Sequence, residues 1–211
     1  MEKSVKIGMQ DPKFDWRFMG FWIGASTGAI VVGFIILYGS IFLLKAVISG
    51  LNEDRLFGPI MFPLLSIMLG FFQWIVLRRR IAKAGWWIVA TVLGLVAGIA
   101  IAAGIIQGMN SLLGVRLNSE SRATLILAIV GFFLALGQMP VLYRHSRGWL
   151  LWLIAGTLGY LCLGLVLGKS IDRTSDIIAL GAIPAAFTGL ALQWLLRAPD
   201  STQSTGETHA P

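Results

Sequence analysis

Cysteine, histidine and charge are all scarce in this chain of 211 residues, and each scarcity closes a class of function. The one cysteine, Cys162, cannot form an intrachain disulfide and says nothing about redox compartment. Lying inside an apolar run, it reads as a small packing residue rather than a reactive thiol. The two histidines, His145 in a basic turn and His209 in the C-terminal tail, make no metal-ligand set. Charged residues are only 13% of the chain, against about 25% in a soluble domain. No acid falls in the central part of an apolar run, which argues against a proton relay or an intramembrane carboxylate protease. Without a cluster of convergent polar groups there is no catalytic residue and no cofactor to assign, so the chain reads as non-enzymatic.

What is abundant is apolar. Hydrophobic residues make up 56% of the chain, and the mean hydropathy is +0.80. Long apolar runs with few charges are the mark of a membrane protein. The net charge of +7 could suggest nucleic acid. The basic residues instead gather at the ends of apolar runs, where cationic side chains meet lipid headgroups, so no nucleic-acid role is read from them.

Six spans are expected. Residues 1–17 form a polar cytoplasmic lead-in, and the apolar stretch after them is too long for a cleaved signal peptide. The spans are about Phe18–Leu44, Phe57–Leu77, Trp86–Ile106, Arg122–Tyr143, Trp149–Gly168 and Asp176–Leu196. Asn52, Glu53, Asp54 and Arg55 are assigned to the first loop and Gln107–Ser121 to the second long loop. Pro184 stands mid-span as an expected kink. The tail, residues 198–211, is small and polar and is expected to be disordered and cytoplasmic. With the N-terminus inside, the inner segments hold eleven Lys and Arg and the outer loops six, which favours both termini in the cytoplasm.

The sequence repeats itself. Trp22, Trp87 and Trp152 are 65 residues apart, and each is followed three residues on by Ala25, Ala90 or Ala155. Four further on stands another small residue, Ala29, Gly94 or Gly159. Each even span ends with a glutamine four to six residues before an arginine: Gln73 before Arg78, Gln138 before Arg144, Gln193 before Arg197. The predicted fold is therefore all-α, an integral membrane bundle of six transmembrane helices built as three parallel-repeat hairpins, 18–80, 86–144 and 149–197. Three like hairpins imply a pseudo-threefold axis along the membrane normal, with small residues packing the helices closely.

Three sets of side chains stand out. Gln73, Gln138 and Gln193 carry amides that must find partners in or near hydrocarbon. They read either as interhelical glue or as a polar ring that could hold a ligand on the axis. Trp22, Trp87 and Trp152 read as interface anchors at the headgroup level. Arg78, Arg79, Arg80, Lys83, Arg144 and Arg147 read as the charges that hold their turns inside, in contact with anionic lipid or with an acidic membrane-protein partner. Thr27, Thr91, Thr157 and Ser66 are expected to bond back to their own helices.

The segment Gly70–Gly94, in which Gly-x-x-Gln-Trp-x-Val-Leu-Arg-Arg is followed by Ala-Gly-Trp-Trp-Ile-x-Ala, resembles uncharacterised multi-pass membrane proteins of cyanobacterial and Chloroflexi-type bacteria. The likeness is weaker at Gly131–Gly159 and partial at Gly189–Arg197. It implies a bacterial inner or thylakoid membrane and brings no catalytic residue. The leading expectation is an accessory, scaffold or assembly subunit. The alternative is a small channel or transporter whose path passes Gln73, Gln138 and Gln193.

Overall fold

The computed structural model describes residues 14–47, 53–81, 83–143, 148–167 and 174–196. They form six helices: α1 (Trp16–Val47), α2 (Glu53–Leu77), α3 (Trp86–Leu112), α4 (Ser119–Tyr143), α5 (Trp149–Leu167) and α6 (Thr174–Leu195). Each contains a stretch long and apolar enough to cross a membrane. The protein is thus all-α, with the composition of a six-span membrane protein.

The apolar runs locate the helices, and local chemistry sets their ends. α1 begins earlier than the apolar run because Asp15 caps it: its Oδ1 accepts the Phe18 amide at 3.0 Å. Trp16 and Arg17, assigned to the lead-in, are therefore helical. With 32 residues α1 is about 48 Å long, well beyond the ~30 Å of a bilayer core. α2 takes in Glu53, Asp54 and Arg55, which the sequence assigned to a loop. Glu and Arg are good helix formers, and polarity alone does not end a helix. α3 likewise continues past Ile106 to Leu112, so the connection to α4 shrinks to 113–118. Pro140 and Pro184 both lie inside helices.

The helices pack as a closed ring. α1 lies against α2, α2 against α3, α3 against α4, α4 against α5, α5 against α6, and α6 back against α1. Among the described residues no helix backbone comes close to one across the ring; only side chains meet there. Glycine lets the neighbours approach. A Cβ on Gly94 would fall 2.7 Å from the Phe133 carbonyl oxygen, and one on Gly98 would fall 2.9 Å from the Val130 Cα. On α5, a Cβ at Gly159 would fall 2.9 Å from the Pro184 Cα of α6. The seams are thus backbone against backbone, the packing that holds membrane helices together without a hydrophobic driving force.

A ring of six helices leaves an axis to fill, and the two ends are filled differently. At the end where α1, α3 and α5 begin, large side chains close the axis: Phe18, Leu77, Ile81, Leu142, Leu192 and Leu195 are all buried around the three tryptophans. Toward the other end, axis-facing residues such as Leu65, Ile99 and Ile126 are only half-buried.

Candidate functional site

The three tryptophans 65 residues apart meet. Ring centroids lie 6.2 Å apart for Trp22–Trp87, 6.3 Å for Trp22–Trp152 and 5.5 Å for Trp87–Trp152. All three pairs are edge-to-face, the arrangement the ring quadrupole favours. Trp22 and Trp87 are 0% exposed and Trp152 is 1%. This corrects their reading as interface anchors, since an anchor must reach the headgroups and these reach only one another. The indole that suits an interface also suits a buried site with a hydrogen-bond acceptor beside it. The tryptophans placed outside the bundle are Trp16, Trp86 and Trp194, each more than half exposed.

The glutamines form a polar collar next to this triad. All are buried, Gln73 at 6% exposure and Gln138 and Gln193 at 3%. Gln73 Nε2 donates to Ser26 Oγ at 3.1 Å, and Gln73 Oε1 accepts the Trp87 indole N–H at 2.9 Å. One side chain therefore ties α2 to both α1 and α3. Gln138 Nε2 donates to Thr91 Oγ1 at 2.9 Å. The two bonded pairs, Gln73–Ser26 and Gln138–Thr91, have the same sequence separation of 47. On α5, Gly156 stands four residues after Trp152, as Ser26 does after Trp22 and Thr91 after Trp87, and offers no hydroxyl. Gln193 Nε2 reaches instead for the Asp15 carbonyl oxygen at 2.7 Å.

Some polar atoms are left over. Trp22 Nε1 donates to Thr188 Oγ1 at 3.1 Å. Trp152 Nε1 and Gln193 Oε1 are buried without a partner, as is Thr27 Oγ1. Beside the triad is a small cavity of about 20 Å³, lined in part by Trp152, Ser26, Gln73, Gln138 and Thr188. That is room for one water. Pro184, also in its lining, has no N–H to give the carbonyl of Leu180, another lining residue. Of the three unpartnered atoms only the Trp152 N–H belongs to this lining, and with the Leu180 carbonyl it gives a water-sized space polar groups of the kind that hold a buried water.

Beyond this cavity the axis widens into a chamber of about 340 Å³ to which all six helices contribute. Its lining is aliphatic and aromatic, with Tyr160 as the one residue bearing a polar side chain. The two spaces share Ile30, Leu69, Tyr160 and Leu180, so they stack along one line.

The remaining candidates are scattered. Arg78, Arg79, Arg80 and Lys83 are exposed on the turn between α2 and α3. Arg80 pairs with Asp15 at 2.6 Å and lies over the Phe18 ring at 4.6 Å; Arg78 lies over Trp74 at 5.2 Å. The Phe18 amide and the Arg80 guanidinium together hold the Asp15 carboxyl below the usual carboxylate range. Lys83 turns the chain with a φ of 59°, a left-handed conformation. Arg144 and Arg147 lie outside the described residues. Thr91 and Thr157 bond back to the carbonyls of Trp87 and Leu153, and Ser66 to that of Pro63. Ser26, Thr188 and Asp15 were not singled out by sequence. For Ser26 the signal was available, since it stands four residues after Trp22 as Thr91 does after Trp87. No group of three metal-ligating residues comes together among the described residues. Neither a protein-family model, nor a curated protein, nor a solved structure matches the chain.

Proposed function

We propose that this chain is a non-conducting membrane scaffold or accessory subunit, built from three like hairpins around a plugged axis. The observation that carries the reading is the tryptophan triad, three interlocked and buried rings standing where a conduction path would run. The glutamines support it too, because Gln73, Gln138 and Gln193 each spend an amide on joining neighbouring helices, which is the behaviour of glue. The ring order and the shared separation of 47 in two of the three hairpins support the repeat. In this reading the triad end, with Arg78, Arg79, Arg80 and Lys83 beside it, faces the cytoplasm and anionic headgroups of a bacterial membrane.

The test is flux. Purified full-length chain in liposomes is expected to pass water, potassium and chloride no faster than protein-free vesicles. A channel or transporter path past the glutamines predicts saturable or selective flux that falls on Gln138→Leu. Such flux overturns the scaffold reading.

A further inference from the structure

The chamber on the axis is larger than packing defects in a close-packed interior, and its mouth differs in chemistry from its walls. At about 340 Å³ it is roughly twice a ~150 Å³ apolar cavity that stays dry and takes up benzene. It falls within the ~300–1,000 Å³ range of small-molecule sites. An empty space of this kind deprives its lining of dispersion partners, so a fitting occupant stabilises the bundle. No charged residue lines it. At the end away from the tryptophans, Ala103 and Ile126 line both the chamber and a second, open recess of about 530 Å³. That recess is polar on one side: Gln107, Asn110 and Ser111 of α3 face Arg122 of α4. Arg122 has no ion-pair partner among the described residues, and Glu120 two residues before it does not line the recess.

We propose that recess and chamber together bind one anionic lipid, its headgroup on Arg122 with the amides of Gln107 and Asn110, and one hydrocarbon chain running down the axis. The occupant follows from the walls. A guanidinium at the rim selects a carboxylate or phosphate, and an uncharged aliphatic bore below it selects hydrocarbon. Residues 95 to 107 of α3 rise about 18 Å, enough for a medium-length acyl chain. The small polar cavity beneath is left to water, so the methyl end of the chain stops above Tyr160 and the triad. Such a site needs only the cavity and its rim, and a scaffold or a transporter could equally carry it.

The experiment uses the full chain in neutral detergent, with ω-bromododecanoate as the probe. The bromine at the chain end comes to rest above the tryptophans and quenches their fluorescence. Quenching is expected to saturate and to be relieved by unbrominated dodecanoate. Arg122→Gln is expected to weaken it at least about tenfold, as loss of a charge-assisted pair does. The uncharged ω-bromododecanol is expected to bind the native chain no better than the carboxylate binds the Arg122→Gln variant. Ala102→Phe fills the bore and is expected to abolish saturable quenching. Because Ala102 is tightly packed, Ile99→Phe, at a half-buried lining position, provides a second plug in a chain checked for folding by gel filtration. Quenching that does not saturate, that is equal in the plugged variants, or that is indifferent to Arg122 or to the carboxylate overturns the proposal.

Discussion

A buried amide is stable when both its ends are answered, and Gln73 is the best answered of the three. Its N–H₂ meets Ser26 and its carbonyl meets Trp87, while Gln193 has one partner and a carbonyl oxygen with none. Gln73→Ala removes two bonds and strands the Trp87 N–H, so it is expected to cost about 2–4 kcal/mol. Gln193→Ala is expected to cost only about 1–2 kcal/mol, since one of its groups is already unpaired. Unfolding of the purified variants in mixed micelles checks the order, and equal losses would refute it. Asp15 gives a second expectation, with a sign. Its carboxyl is held low in the folded chain by the Phe18 amide and Arg80. The stability it adds is complete above the ordinary carboxylate pKa of about 4 and is lost as pH falls through the lowered value. The melting-temperature margin of the native chain over Asp15→Asn should therefore hold from pH 7 to 5 and narrow below about pH 4. A margin that stays constant down to pH 3 would count against the pairing. The glutamines were legible in the sequence because an amide in an apolar run stands out. Asp15 was less so, because beside the local Phe18 amide its carboxylate takes a second partner, Arg80, 65 residues away.

Between helices, the small residues set the spacing. Gly94 is the sharpest case, since a Cβ there would meet the Phe133 carbonyl oxygen and the Leu134 Cα, backbone atoms that cannot rotate away. Gly94→Ala is expected to destabilise by about 1–3 kcal/mol by forcing α3 and α4 apart. Gly104, on the same helix, has nothing within 4 Å of its would-be Cβ. Gly104→Ala is expected to change stability by less than about 1 kcal/mol, and toward gain, because only the glycine's backbone freedom is lost. Thermal unfolding of the pair separates close approach from mere helix propensity; equal effects would remove the packing argument. At this scale the sequence was largely readable. Apolar runs long enough to cross a bilayer located all six helices, and the Trp-x-x-Ala-x-x-x-small spacing pointed to faces that do pack closely. Helix ends were read less well. Glu53 to Arg55 looked like a loop because they are charged, yet charge near a helix start does not prevent helix, and the Asp15 cap that lengthens α1 works through one hydrogen bond.

Across the whole molecule, closure of the ring decides where the tryptophans stand. An indole at the start of a membrane helix fits the headgroup region and fits a buried core equally well by composition. Only the closing of the ring, α6 against α1, brings Trp22 onto Trp152 and decides for the core. No periodicity within one span carries that information. The same closure gives the bundle two unlike ends, and we propose from charge which of them faces the cytoplasm. Eleven inner Lys and Arg against six outer favour the triad end inside. Cys162→Ser removes the native thiol, and single cysteines then report each side: Arg79→Cys in the basic turn and Leu113→Cys in the α3–α4 connection, both at exposed positions. An impermeant maleimide applied to intact cells is expected to label the cysteine at position 113 and to reach that at position 79 only after permeabilisation. The reverse pattern overturns the orientation. The sum of charges also sets how robust that orientation is. Changing Arg78 and Arg80 to glutamine leaves nine basic residues inside against six outside, so the same labelling pattern should survive the loss of two thirds of the arginine run. If removing those two charges inverts the chain, orientation is governed locally by this one turn rather than by the sum over all of them.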